Sequence, residues 1–139
     1  QLESSVKFKD NQKHGEYISY WENGKMSSSG YFNNGKMDSL WNFWDQSGNI
    51  EGISRWKGDL KHGKWTAFYN SGQIQKESIF HKGKLEGFQF EYHQNGSKAL
   101  QAEWANGKKC GTWKYWDENG TLILEENYIT NNLISKKNY

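Results

Sequence analysis

Lys61-His62-Gly63-Lys64-Trp65-Thr66-Ala67-Phe68-Tyr69-Asn70-Ser71-Gly72 carries the pattern that decides the fold. Counting outward from Gly72, Gly24, Gly48, Gly96 and Gly120 fall at intervals of 24 residues with no insertion. Four positions before each glycine stands a ring: Tyr20, Trp44, Phe68, Tyr92 and Trp116. Eight positions after come Phe32, Trp56, Phe80, Trp104 and Tyr128, with Phe8 one period earlier. A further column reads Gly15, Ser39, Gly63, Gly87, Gly111, and two positions beyond it stand Tyr17, Trp41, Trp65, Gln89 and Trp113. A fixed period sustained along a chain is the signature of a repeat array.

The repeating unit reads as a β-hairpin. Asn23-Gly24, Ser47-Gly48, Ser71-Gly72, Asn95-Gly96 and Asn119-Gly120 supply the positive φ that a type I′ hairpin turn requires. A second turn follows at Asn34-Gly35, Gly58-Asp59, Lys82-Gly83, Asn106-Gly107 and Asn131-Asn132. Two turns per period leave two strands of roughly seven to nine residues each. The expected fold is all-β, an elongated antiparallel meander of stacked hairpins with no significant helix. Its repeats span about 13–36, 37–60, 61–84, 85–108 and 109–132, with a half repeat over 1–12 and a C-terminal cap over 133–139, in one domain. Propeller blades and helical repeats need longer periods, and leucine-rich repeats need a leucine pattern that is absent.

Composition agrees. Eight Trp, eight Tyr and seven Phe in 139 residues outnumber the branched aliphatics, with 15 Gly and no Pro. Helical bundles and parallel sheets need aliphatic stripes or runs, and a spanning helix needs about 20 apolar residues; the longest aliphatic run here is Leu122-Ile123-Leu124. The formal charge of +2 gives no strong field towards nucleic acid. Cys110 stands alone, which excludes an internal disulfide framework. The start at Gln1, with no charged and apolar leader, reads as the mature end of an exported chain or as a trimmed one.

Alternation sorts the faces. In the second strands, Met26-Ser28-Gly30-Phe32 and their counterparts share one face, with a small third column (Gly30, Ser54, Ser78, Ala102) beneath a large ring. Tyr20 and its equivalents are expected on that face. Tyr17, Trp41, Trp65 and Trp113 then lie on the other, unless a bulge intervenes. This second ladder is either further core or a binding face.

The stretch at 61–72 and Cys110-Gly111-Thr112-Trp113-Lys114-Tyr115-Trp116-Asp117-Glu118-Asn119-Gly120 resemble the MORN repeat, closest to the bacterial variant with the pattern G-x-W-x-x-Y-x-x-x-G. The resemblance covers residues 6 to 135, departing at Ser39, Gln89 and Asp59. It implies a hairpin array used for binding, a frequent place beside toxins as antitoxin or immunity protein, and no catalytic residue.

Reactive chemistry is thin. His14 and His62 occupy equivalent turns two periods apart, too far to share a metal, and His81 and His93 add no convergent set. Cys110 has no fixed histidine partner, and Ser27-Ser28-Ser29 follows no nucleophile elbow. The glycines lie in hairpin turns, away from any helix N-terminus that could cradle phosphate. No enzyme, metal or cofactor is expected. The candidate partner-binding residues are Tyr17, Trp21, Trp41, Trp65, Tyr69 and Trp113, because Trp and Tyr dominate interface hot spots. A basic band of Arg55, Lys57, Lys61, Lys64, Lys82 and Lys84 lies in the middle of the chain. The leading reading is a protein-binding array, most concretely one that binds a toxin. The alternatives are a glycan or choline-type cell-wall module, using aromatic cages, and attachment to anionic membrane through the basic band.

Overall fold

The computed structural model describes residues 4–139. Its strands are β1 (Ser4–Lys9), β2 (Gln12–Tyr20), β3 (Met26–Asn33), β4 (Lys36–Trp44), β5 (Ile50–Lys57), β6 (Leu60–Phe68) and β7 (Ile74–His81). They continue as β8 (Lys84–Leu85), β9 (Gly87–Tyr92), β10 (Lys98–Ala105), β11 (Lys108–Trp116), β12 (Leu122–Ile129) and β13 (Asn132–Asn138). All join one open antiparallel sheet in which sequence neighbours are spatial neighbours; β9 pairs β7 directly, and the short β8 pairs only β7. Among the described residues there is no helix. The expected all-β meander is the fold.

The two sets of turns are built differently. Asp10-Asn11, Asn34-Gly35, Gly58-Asp59, Lys82-Gly83, Asn106-Gly107 and Thr130-Asn131 have positive φ at both residues. That is the type I′ signature, whose twist matches that of the flanking strands. The last of these comes one residue before the expected Asn131-Asn132, so Asn132 already belongs to β13. The Asn-Gly and Ser-Gly turns depart from the type I′ expectation. Only their glycines have positive φ, and they form three-residue loops. Gly24 donates to the Trp21 carbonyl at 2.9 Å while the Trp21 N–H donates to the Lys25 carbonyl at 2.7 Å, a pattern repeated at Asp45, Tyr69, His93 and Asp117. A type I turn closed by a left-handed glycine satisfies strand twist as well. The Asn side chain favours it: Oδ1 of Asn23 accepts from the Lys25 N–H at 3.0 Å, and Oδ1 of Asn95 from the Ser97 N–H at 2.9 Å.

Two bulges per repeat set the faces. Pairing of β3 with β4 jumps from Ser29↔Asn42 to Tyr31↔Asp38 around Ser39, which has φ 62°. Gly15, Gly63, Gly87 and Gly111 hold the same left-handed conformation, which explains the glycine preference of that column. A second shift separates Ser19↔Ser28 from Tyr20↔Met26, and it recurs at Trp44↔Ile50, Phe68↔Ile74 and Trp116↔Leu122. This bulge corrects the expected face assignment. Tyr20 and its counterparts pair with the first residue of the second strand on one face. Tyr17, Trp41, Trp65, Gln89 and Trp113 lie opposite Gly30, Ser54, Ser78, Ala102 and Glu126 on the other. Phe32, Trp56, Phe80, Trp104 and Tyr128 share that second face. Two ring columns therefore lie together on one ring face.

The core is made in place, without a second layer. Small residues form its floor: Ser54 and Ser78 are 1% exposed and Ala102 0%. Rings lie across this floor, and Trp41 (3%) and Trp113 (5%) are buried by their own neighbours. Removing about 200 Å² of an aromatic side chain from water is worth at most about 5 kcal/mol. A few such rings per hairpin replace an aliphatic interior. The opposite face is more polar, crossed by the ion pairs Lys64–Glu77 and Lys114–Glu125.

Candidate binding face

The ring face divides into three clusters. In the first, Trp41 packs against Tyr17 (centroids 5.4 Å apart), Phe32 (5.1 Å) and Phe43 (6.2 Å). In the second, Trp65 meets Phe80 edge-on at 6.4 Å. In the third, Trp113 packs on Trp104 at 5.0 Å and on Tyr128 at 5.3 Å. Repeats with a ring in the ladder thus pull their neighbours inward. Gln89 interrupts the ladder between the second and third clusters, 4% exposed and bound through Nε2 to Glu91 at 2.9 Å.

Between the first two clusters the rings part over a mostly apolar cleft of about 370 Å³ lined by Phe43, Glu51, Gly52, Ser54, Trp56, Lys61 and Trp65. Gly52 lowers its floor. The Trp56 indole donates to the Ser54 hydroxyl at 2.7 Å, which fixes that ring as a wall. Nζ of Lys61 rests 4.7 Å from the Trp65 centroid, 5.2 Å from Phe80 and 5.9 Å from Trp56. Burial pushes its ammonium pKa down.

The six rings proposed from sequence fall into three groups. Trp41 and Trp113 are buried in the core. Tyr17 and Trp65 are half-buried and line the ring face. Trp21 and Tyr69 sit in the glycine loops and tie one repeat to the next. The Trp21 indole donates to the Trp44 carbonyl at 2.9 Å, and the Tyr69 hydroxyl to the Tyr92 carbonyl at 2.7 Å. Sequence reasoning missed Phe43 and the columns around Lys13 and Lys109. The signal was present: Lys13, Lys61 and Lys109 precede the bulge glycine by two residues in alternate repeats.

The basic band does not form one patch. Lys61 joins the ring face, Lys64 pairs with Glu77 on the polar face, and Arg55, opposite Leu40, also faces that side. Lys82 lies within a type I′ turn and Lys57 and Lys84 flank such turns, exposed along one long edge together with Lys36 and Lys108.

His14 and His62 serve the turns. Nδ1 of His14 accepts from the Asn34 N–H at 3.4 Å and Nδ1 of His62 from the Lys82 N–H at 3.5 Å. No group of three or more His, Cys, Asp or Glu among the described residues is placed to hold a metal. Burial, with Glu103 and Glu86 nearby, pushes the Cys110 thiol up and away from its nucleophilic form.

No helix among the described residues is long and apolar enough to cross a membrane. No curated protein matches the chain significantly. MORN repeats are in general protein- or membrane-binding modules, and the family is in general non-enzymatic. The family model that matches, at residues 13–34, 61–82 and 109–129, is that of the MORN repeat variant, so three hairpins of this sheet carry the signature of that repeat.

Proposed function

We propose that the chain is a non-catalytic protein-binding module whose interface is the ring face, centred on the cleft between Phe43, Trp56 and Trp65. The observation that supports this is the cleft itself. A sheet normally buries its apolar face against a second layer, whereas here the apolar wall stays open between two ring clusters. Rigid indoles beside a cation are the usual material of hot spots. The most concrete version, an antitoxin or immunity protein that binds a toxin, rests on the resemblance to the bacterial repeat.

The test is titration calorimetry with the product of the neighbouring gene. Trp65→Ala is expected to weaken the complex by 10-fold or more, on the order of 2 kcal/mol, while Tyr31→Ala on the opposite face leaves it unchanged. Equal loss from both, or loss from Tyr31→Ala alone, sinks the assignment. A second reading, contact with an anionic membrane, is supported by the exposed row Lys36, Lys57, Lys82, Lys84 and Lys108. It predicts sedimentation with phosphatidylserine vesicles that salt abolishes. The choline-type cage is less well supported, because the cation position over Trp56, Trp65 and Phe80 is filled by Lys61.

A further inference from the structure

Lys13, Lys61 and Lys109 stand in one column of the repeat, 48 residues apart, and Met37 and Leu85 hold the column in between. Each lysine lays its ammonium on the rings of its own hairpin. Lys13 lies 5.5 Å from Tyr17 and 5.1 Å from Phe32, and Lys109 lies 4.3 Å from Trp113 and 4.8 Å from Tyr128. Lys61 repeats the arrangement over Trp65 and Phe80. Lys64, Lys76, Lys114 and Lys136 each have a carboxylate within ion-pair distance. Among the described residues the three ring-face lysines have none within 4.0 Å, although Glu126 acts on Lys109 from further away. Glu51 lines the same cleft as Lys61 but is exposed, beyond ion-pair distance, and does not offset the burial of the ammonium.

An ammonium held against ring faces is covered on one side and open on the other. Its open side attracts an anion, and the adjoining cleft wall of Phe43, Gly52 and Trp56 accepts an apolar group. A basic or quaternary-ammonium guest would meet the Lys61 ammonium over the rings, with Glu51 exposed at the cleft margin. Four strand steps separate successive lysines in the sheet order, so the stations lie about 19 Å apart.

From this arrangement, and resting on the reading of the ring face as a protein interface, we infer that the partner is bound through carboxylate side chains flanked by apolar ones, each carboxylate seating on a lysine–ring station, with the Lys61 station as the anchor. The intervening repeats, with Met37 and Leu85, take apolar contacts only. Multivalent engagement of evenly spaced stations raises avidity without any new contact type.

The test uses the ¹⁵N-labelled chain and two synthetic peptides, acetyl-Ser-Leu-Glu-Phe-Glu-Ser-amide and its Gln-for-Glu counterpart. The indole N–H resonances of Trp56 and Trp65, assigned through their Phe substitutions, report the cleft, and those of Trp21 and Trp44 serve as controls. The acidic peptide is expected to shift Trp56 and Trp65 saturably and to bind at least 5-fold tighter than the neutral one. Lys61→Met, which places there the residue already used at position 37, is expected to abolish that difference while leaving the thermal transition in place. Equal binding of the two peptides overturns the carboxylate preference and leaves the ring face as an interface. Failure of both peptides to move either cleft indole also overturns the proposal, and the Trp65→Ala titration above then decides separately whether the ring face binds protein at all.

Discussion

Gly30→Ala isolates the packing principle of the array in one methyl group. Gly30 has no positive φ, so alanine adds no backbone strain. The whole effect is steric. A β-carbon built there lies 2.6 Å from Cγ of Trp41 and closer still to Cδ2 and Cε2. Trp41 therefore has to leave the floor. The counterparts of Gly30 are Ser54, Ser78 and Ala102; Trp65 stands off beside the cleft, whereas Trp113 stays buried against Ala102, so a β-carbon is tolerated where the ring is seated differently from Trp41. The expected outcome is a Trp41 ring lifted outward, with its indole bond to the Asp38 carbonyl at 3.1 Å lost. Overpacking costs about 1–3 kcal/mol, and the lost bond belongs to the class worth about 1 kcal/mol. A net loss of about 2–4 kcal/mol follows, short of full exposure of the ring. Urea unfolding followed by near-ultraviolet circular dichroism measures it, and acrylamide quenching reports whether Trp41 has become accessible. The double change Gly30→Ala with Trp41→Leu should recover at least half of the coupling, since the clash then has no ring. Unchanged stability with Trp41 still shielded, or additivity in the double variant, refutes the argument.

Other consequences are simpler to read out. Glu126 is the fifth residue of the small-floor column; burial opposes its ionisation, but hydroxyls from Tyr128 (2.9 Å) and Tyr115 (3.1 Å), with Lys136 and Lys109, together hold its pKa below the usual carboxylate value. A carboxylate depressed in the folded state stabilises above its unfolded pKa of about 4.3 and loses that contribution as pH falls through the folded value. The thermal midpoint should therefore drop below about pH 4, and Glu126→Gln should flatten this acid limb. Tyr69→Phe removes the bond to the Tyr92 carbonyl and is expected to cost about 1 kcal/mol in urea unfolding. Cys110, with its thiol pKa raised by burial and by Glu103 and Glu86, should react with iodoacetamide at pH 8 more slowly than free cysteine; Glu103→Gln should quicken it.

The meander was legible because its determinants are local and periodic: turn residues every dozen positions and rings in fixed columns. Face assignment was not, because parity counting assumes an unbroken ladder. The bulge beside Met26 adds a residue that has no signature in sequence, and it reverses the relation between Tyr20 and Phe32. Turn type was misjudged for a related reason. Asn-Gly satisfies two different hairpin loops, and only the hydrogen bond from Trp21 to Lys25 distinguishes them. Trp41 and Trp65 are equivalent in sequence, yet one is core and the other a wall. The difference lies in what surrounds each ring. Trp41 has Gly30 beneath it and three rings around it, whereas Trp65 borders a repeat in which Gln89 has replaced the ring. The lysine stations were visible as a column, but the ring contacts that give the column meaning needed coordinates.

Turns in most proteins are where length varies freely. In this sheet the N–H groups of Gly35, Asp59, Gly83, Gly107 and Asn131 each donate to a carbonyl of the preceding hairpin, at Lys13, Met37, Lys61, Leu85 and Lys109. On the other margin Trp21, Tyr69 and His93 reach the backbone of the hairpin that follows. The type I′ margin is therefore sewn at all five of these turns, and the glycine-loop margin at three junctions. A single extra residue in one of these turns would release its bond to the preceding hairpin. The array trades the tolerance of ordinary loops for a fixed gauge, and its spacing along the sheet is as invariant as the spacing of its glycines.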